Sequence, residues 1–204
     1  MTAPLDVLVV GAGPTGLALA TQLRVCATRF RILDRSLDRA HESRALAIQP
    51  RTLEALAGFG VTEELVDRGN PTMRLRMHLP RRVVQMPLFH IGLADTAYPF
   101  LLFLSQAETE DVLSEHVAAQ GVVIERGTEL VQLEPKGSYV SCRLRHRDGE
   151  EETVDARYVV GCDGAQAPCA PKRASISRVT HIHRCSCSPI SRSTGWSQEP
   201  YTRT

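Results

Sequence analysis

Three glycines near the amino end stand at a spacing that binds phosphate groups. They occur in Gly11-Ala12-Gly13-Pro14-Thr15-Gly16, which directly follows the apolar run at residues 5–10. At this spacing the first glycine permits a tight turn, the second lets a pyrophosphate approach the backbone, and the third lets a helix pack close to a strand. A helix beginning at Pro14 and Thr15 would point its free N–H groups at the phosphates. The pattern predicts a dinucleotide site, and the alternative is a glycine-rich turn that holds no ligand.

An acidic residue follows at the distance expected for ribose binding. Asp34 lies 23 residues after Gly11 and closes a second apolar run at residues 30–34. In dinucleotide sites an acid about 20 residues beyond the glycines accepts hydrogen bonds from ribose hydroxyls. Asp34 is therefore predicted to bind the ribose of the ligand.

The apolar periodicity indicates which elements position these residues. Helices are predicted at 14–25, 50–57, 62–68 and 107–120, and strands at 5–10, 30–34, near 73–78, near 83–88, at 122–125, 128–135, 139–147 and 153–160. Strands that alternate with helices indicate an α/β fold with a parallel sheet. The closely spaced strands after residue 121 add a β-hairpin or meander. The sequence thus predicts a Rossmann-like domain with a β-meander insertion.

Composition limits the classes of function. The chain has 204 residues, is 43% hydrophobic and carries a formal net charge of +1. Such a balance argues against a dedicated nucleic-acid binder. The sequence contains no apolar run of membrane-spanning length and no signal-peptide pattern, so a cytoplasmic protein with no membrane partner is expected. Its six cysteines lack the spacing of a disulfide scaffold.

The last 39 residues differ in composition from the rest. Six of the 24 Lys and Arg residues but one of the 23 Asp and Glu residues lie from Gln166 onward, without apolar periodicity. We therefore expect a folded domain at 1–165 and a disordered tail at 166–204. His181-x-His183-x-Cys185-x-Cys187 resembles a metal cluster, but it lies in this tail without a matching turn, and no metal site is predicted.

Four segments, in order and at the expected spacing, carry a family resemblance. They are residues 6–17 (DVLVVGAGPTGL), 43–54 (SRALAIQPRTLE), 104–110 (LSQAETE) and 158–165 (YVVGCDGA). Together they resemble the FAD-dependent monooxygenases of the aromatic hydroxylase type, which include phenol and para-hydroxybenzoate hydroxylases. The resemblance covers the amino-terminal, FAD-binding part of that family.

The resemblance implies a role for each candidate residue. Those implied to bind FAD are Gly11, Gly13, Pro14, Thr15 and Gly16 at the pyrophosphate, Asp34 at the adenosine ribose, Arg35 and the backbone of Val131 near the adenine, Arg44 and Gln106 at the phosphates or the ribityl chain, and Asp163 beside the cofactor. Three of these have plainer alternatives. Arg44 could be a solvated loop charge, Gln106 a helix N-cap, and Asp163-Gly164 a simple turn.

The resemblance also implies a reaction. NAD(P)H would reduce the flavin, and an oxygen atom from O₂ would be transferred to a small aromatic substrate. The open alternatives are another FAD oxidoreductase of the same fold, such as a reductase or halogenase, and a truncated remnant that binds FAD or ADP-like ligands without catalysis. No catalytic residue is assigned, and the oligomeric state is left open.

A second flavin motif of the family, built on Gly-Asp, is expected further along, but no Gly-Asp pair occurs in this sequence. Back-translation from Pro168 to Ile190, read one base earlier with permitted codons, gives LRAQARIDFEGDTYPSMFVLAD. This reading resembles the family's own continuation. We therefore expect a shift of reading frame between Ala165 and Cys169, which would make this chain alone catalytically incompetent.

Overall fold

The computed structural model describes residues 3–38, 47–72, 74–79, 82–87 and 95–164. Its strands are β1 (Leu5–Val10), β2 (Phe30–Asp34), β3 (Ala47–Ile48), β4 (Asn70–Thr72), β5 (Arg74–Leu79), β6 (Arg82–Pro87), β7 (Leu101–Phe103), β8 (Ile124–Arg126), β9 (Glu129–Pro135), β10 (Val140–Arg145) and β11 (Glu151–Gly161). Its helices are α1 (Pro14–Val25), α2 (Pro50–Ala57), α3 (Thr62–Arg68) and α4 (Gln106–Ala119). The predicted α/β class is confirmed.

A six-stranded sheet carries the candidate site. Its order is β8-β2-β1-β11-β10-β9. The first four strands are parallel, whereas β9, β10 and the first half of β11 form an antiparallel meander. The long strand β11 joins the two parts, since Val140 and Leu5 both pair with Ala156 from opposite sides. The Rossmann-like sheet and its meander insertion are therefore present in one continuous sheet.

Strand β1 is buried on both faces, as its apolar run predicts. Val7 and Val9 face a core that includes α1 and α4, whereas Leu8 and Val10 face a second core beneath the meander. All four side chains are at most 9% exposed. This double burial fixes the end of β1, from which the glycine loop continues.

The turn that follows helix α1 contains an unusual backbone conformation. Ala27 adopts a left-handed conformation with φ of 50°, a conformation usually taken by glycine. The N–H of Thr28 donates to the carbonyl of Leu23 at 3.0 Å, and that of Ala27 donates to Arg24 at 3.0 Å. These bonds close the helix over the turn into β2.

Helix α4 begins at a capping box. The Ser105 side chain accepts from the backbone N–H of Glu108, and the Glu108 side chain accepts from that of Ser105. Ser105 is therefore the N-cap and Gln106 is the first helical residue, one position before the predicted start. The alternative of Gln106 as the cap is wrong.

Residues 165–204 lie outside the described residues, and so do the predicted tail and its His/Cys motif. Within the described ranges, no helix is both long enough and apolar enough to cross a membrane. In the same ranges no cluster of three or more His, Cys, Asp or Glu side chains is placed to hold a metal ion.

Candidate functional site

The ends of the parallel strands border a large cleft. Its volume is about 1330 Å³, and it lies at the carboxyl ends of β1, β2 and β11. Open α/β sheets bind ligands at this edge. The predicted site residues that line the cleft are Gly11, Gly13, Pro14, Thr15, Asp34, Arg35, Gln106 and Asp163. The fold therefore brings together residues from four separate parts of the chain.

Two of the glycines are required by the protein's own backbone. Gly11 has φ of 106°, and a Cβ there would stand 2.5 Å from the carbonyl carbon of Cys162. A Cβ on Gly16 would stand 1.9 Å from the carbonyl oxygen of Gly11. Gly16 does not line the cleft; it lets α1 pack against the loop that follows β1. These two glycines thus shape the loop.

The third glycine has a different environment. A Cβ on Gly13 would meet one atom within 4 Å, Oε1 of Glu110 at 3.8 Å. Gly13 is also the N-cap of α1, and among the described residues neither a capping side chain nor a first-turn acid satisfies the start of that helix. Uncapped N–H groups and the positive end of a helix dipole attract an anion. The open space at Gly13 therefore suits a phosphate group.

The carboxylate of Asp34 is bonded to the backbone around the cleft. Its Oδ2 accepts from the N–H of Ala12 at 2.6 Å, and its Oδ1 accepts from the N–H of Ser36 at 2.8 Å. An ionised carboxylate has about four lone-pair sites, so these two bonds leave capacity for hydroxyl donors. Asp34 can thus stabilise the glycine loop and contact a ligand at the same time.

The neighbourhood of Asp34 contains residues that the sequence did not single out. Arg126 ends β8, stands beside Asp34 in the sheet register and lines the cleft. Val131 is not among the lining residues, although Thr128, Glu129 and Leu130 just before it are. Arg126 was missed because the strand was predicted at 122–125, which placed its end one residue too early.

Helix α4 contributes a pair of polar side chains to the cleft. Nε2 of Gln106 donates to Oε1 of Glu110 at 2.8 Å, and both residues line the cleft. Glu110 is only 4% exposed. Glu110 was not among the predicted site residues, although its position four residues after Gln106 on a helix was a signal that the two side chains meet.

The Asp-Gly motif after β11 closes the other side of the cleft. The N–H of Cys162 donates to the carbonyl of Val10 at 2.6 Å, which holds the motif beside β1. Oδ2 of Asp163 is buried without a hydrogen-bond partner among the described residues. A buried polar atom without a partner is costly, and a ligand donor in the cleft would remove that cost.

Burial raises the pKa of the Cys162 thiol, with a smaller effect from Asp163.

Arg44, the predicted cation for the phosphates or ribityl chain, lies outside the described residues. Its neighbours Ala47, Ile48 and Gln49 line the cleft, so the segment that follows Arg44 returns to the site.

A family comparison agrees with this geometry. The family described as FAD binding domain matches residues 4–184. The chain belongs to this family. The aligned FAD binding domain includes every cleft-lining residue named above.

The relatives of this FAD binding domain are monooxygenases. The chain is 44% identical over 162 residues to 6-methylpretetramide 4-monooxygenase from Streptomyces rimosus, covering 79% of this chain and 29% of that protein. It is 37% identical over 169 residues to rifampicin monooxygenase from Streptomyces venezuelae, covering 79% and 32%. The chain therefore spans about a third of the length of these curated relatives.

Solved structures show the same fold. The p-nitrophenol 4-monooxygenase of Pseudomonas putida DLL-E4 superposes with a TM-score of 0.75 at 26% identity, over 83% of this chain and 43% of that one. The flavin-dependent monooxygenase PieE, solved in complex with FAD and substrate, has a TM-score of 0.70 at 27% identity, over 80% and 31%. The resemblance to flavin-dependent aromatic hydroxylases is confirmed.

Proposed function

We propose that the cleft binds FAD, with the pyrophosphate at Gly13 and the start of α1. The observation that carries this proposal is the contrast among the glycines: Gly11 and Gly16 are required by the protein's own packing, whereas the space at Gly13 is open to the cleft. The unsatisfied Oδ2 of Asp163 supports a ligand that extends to the end of β11.

Four predicted residues beyond the glycine loop have proposed contacts with the ligand. Asp34 accepts from ribose hydroxyls through its remaining lone pairs, and Arg35 with the segment before Val131 surrounds the adenine. Gln106 and Arg44 contact the phosphates or the ribityl chain. Bound FAD would supply redox chemistry and oxygen transfer, whereas this chain's residues bind it, orient it and limit its access to water.

The relatives' names suggest the class of substrate. They include monooxygenases named for 6-methylpretetramide, rifampicin and pentachlorophenol. For this chain we propose participation in NAD(P)H-dependent hydroxylation of a small aromatic substrate, in the cytoplasm, where that donor is available. A reductase or halogenase of the same fold remains the alternative enzyme.

A second candidate is an FAD-binding protein without catalytic activity. It is favoured by an unpaired edge: past Ala156, β11 pairs with β1 on one side and has no strand on its other side in the described part of the chain. Tyr158 on this segment is 61% exposed. Such an edge would leave the domain prone to association and weaken its hold on the ligand.

The first experiment compares ligands that differ in their adenosine half. The ligand-free chain is titrated with FAD, with FMN and with ADP, and binding is followed by flavin fluorescence and by displacement of FAD. We expect FAD to bind, ADP to displace it, and FMN to bind at least about tenfold more weakly, because FMN lacks the adenosine ribose proposed for Asp34 and one of the two phosphates proposed for Gly13. Failure of FAD to bind, or equal binding of FMN, would overturn the proposal.

A second experiment separates the two candidates. The FAD-loaded chain is mixed with NADH or NADPH without oxygen, and bleaching of the flavin absorbance is recorded. Reduction of bound flavin faster than that of free FAD supports the oxidoreductase. A rate equal to that of free FAD supports the non-catalytic protein.

We also propose that residues after Ala165 are read from a shifted frame. Genomic DNA and transcript are sequenced across codons 165–169. The expected result is a family-like continuation in the neighbouring frame. An uninterrupted frame with no such continuation would overturn this proposal and leave the FAD proposal untouched.

A further inference from the structure

Glu110 is a buried carboxylic residue at the border of the cleft. The other buried polar side chains in the described residues are uncharged threonines, and Glu110 is 4% exposed. It lies one turn into α4, whose neighbours Thr109, Val112 and Leu113 are also buried. Burial of a carboxylate is costly unless it is hydrogen-bonded, so its position against the cleft calls for a role.

The contacts of Glu110 connect α4 to the glycine loop. Its Oε1 accepts from Nε2 of Gln106 at 2.8 Å, and the same oxygen lies 3.8 Å from where a Cβ on Gly13 would stand. The carboxylate therefore lies within reach of both the Gln106 amide and the space proposed for the pyrophosphate. Both Gln106 and Glu110 line the cleft.

The chemistry of the pair fixes the orientation of the amide. An ionised carboxylate can only accept hydrogen bonds, so the NH₂ group of Gln106 must face Glu110 and its carbonyl oxygen must face another direction. The backbone of this turn is held as well, because Ser105 and Glu108 form the capping box around Gln106. Immobilising a long side chain on binding costs conformational entropy, and this pair meets that cost before any ligand arrives.

We propose that Glu110 is a positioning residue for FAD: it holds the amide of Gln106 in one orientation at the cleft. This inference rests on the proposed function. It predicts that the two side chains act as one unit toward the ligand, and that a group at position 110 that can only accept hydrogen bonds holds the amide best.

The test is a double-mutant cycle on FAD affinity. Gln106→Ala, Glu110→Ala and the double variant are titrated with FAD by fluorescence. We expect each single change to weaken binding by about fivefold to tenfold, and the double change to weaken it no further than the worse single change. Independent roles would instead multiply the two losses, and that result would overturn the inference.

Two further variants give the cycle its controls. Glu110→Gln keeps the size of the side chain, but its amide can both donate and accept, so the Gln106 amide can adopt either orientation and FAD affinity should lie between that of the wild type and that of Glu110→Ala. Glu115→Gln makes the same charge change at an exposed site of α4, paired with Arg68 at 2.9 Å, and should leave FAD affinity unchanged. Tighter binding by Glu110→Gln would mean that the carboxylate acts as a repulsive charge, which would overturn the inference.

Thermal unfolding distinguishes an effect on FAD binding from an effect on folding. It also keeps the test informative if one variant folds poorly. The shift of Tm caused by saturating FAD is compared with the Tm of each ligand-free variant. We expect Gln106→Ala to keep the ligand-free Tm and lose part of the FAD-induced shift, whatever Glu110→Ala does to folding. If FAD binds the wild type and neither residue alters the shift, the inference alone is wrong. If FAD does not bind the wild type, the proposed function is wrong and the inference falls with it.

Discussion

Oδ2 of Asp34 lies 2.6 Å from the backbone nitrogen of Ala12, so the acid at the end of β2 is hydrogen-bonded to the glycine loop itself. Its other oxygen accepts from the N–H of Ser36 at 2.8 Å. The residue proposed to bind ribose therefore also fixes the loop proposed to bind phosphate. Stability and ligand affinity should depend on the same carboxylate.

Replacement of Asp34 by alanine should affect both properties. Asp34→Ala leaves two backbone N–H groups without their acceptor, which we expect to lower the free energy of unfolding by about 1–3 kcal/mol. FAD affinity should fall by about tenfold or more, because the proposed ribose contact would also be lost. Urea unfolding and fluorescence titration measure the two effects.

Asp148→Ala is the matched control for that change. Asp148 also accepts a hydrogen bond from a backbone N–H two residues on, that of Glu150 at 3.0 Å, but it lies in the turn between β10 and β11. Its replacement should leave FAD affinity unchanged. Equal losses of affinity in the two variants would contradict the assignment of Asp34.

The glycines of the loop should separate folding from binding. Gly16→Ala places a methyl group 1.9 Å from the Gly11 carbonyl oxygen and should destabilise the domain severely. Gly13→Ala meets only Oε1 of Glu110 at 3.8 Å, so the ligand-free protein should keep its Tm within a few degrees while FAD affinity falls. Gly58→Ala, with nothing within 4 Å, serves as the neutral control. Normal FAD affinity in Gly13→Ala would place the phosphates elsewhere.

A cluster of charged side chains on β2, β8 and β11 should make the stability of the fold depend on pH. Arg31 bonds to Glu125 at 2.6 Å and to Glu152 at 2.8 Å, and His146 lies 3.2 Å from Glu152. The hydrogen bond from Arg31 is the main cause that lowers the pKa of Glu152 from its ordinary value of 4.5. Since the folded pKa is the lower one, the stabilisation is complete above pH 4.5 and is lost as the pH falls through the folded value.

Glu152→Gln should therefore flatten the acid limb of the stability curve. We expect the urea midpoint of the wild type to fall more steeply below pH 4.5 than that of the variant. Glu150→Gln removes an exposed carboxylate nearby and should preserve the wild-type slope. Parallel stability curves for Glu152→Gln and the wild type would show that protonation of Glu152 does not change the stability of the fold.

The cysteines should report on occupation of the cleft. Cys142 is fully buried, and burial raises its pKa to about 11, whereas Cys162 is half-buried and lines the cleft. At pH 8 iodoacetamide should leave Cys142 unmodified in the folded protein, because the thiolate is the reactive form. Cys162 should react slowly, and FAD should slow it further. Peptide mapping by mass spectrometry measures the extent of labelling at each cysteine. A labelling rate of Cys162 that is the same with and without FAD would contradict the proposed ligand position.

Much of the fold could be predicted because its signals are local. The apolar run before Gly11 predicts β1, and helix α1 begins at Pro14 and ends at Val25 as predicted. The strand predicted at 122–125 begins two residues later in the structure. The N–H of Val122 donates to Val117 to close α4, and Val123 is 76% exposed, so β8 begins only at Ile124.

The candidate site was predictable only in part. The glycine spacing and Asp34 indicated a dinucleotide, because those residues must occur at fixed offsets around one turn. The hydrogen bond from Ala12 to Asp34 and the burial of Glu110 beside Gly13 were not predictable, since each depends on contacts between residues at least 22 positions apart or between separate elements.

By itself the sequence determined the β-α-β unit, the glycine loop and the acid that follows it, because hydrophobic periodicity and backbone sterics act within a few residues. The tertiary structure decided that β8 joins the edge beside β2 and that β11 inserts between β1 and the meander. It also decided that Asp163, Gln106 and Glu110 meet the glycines at one cleft. Those choices follow from which apolar faces can be buried together, and that depends on the whole chain.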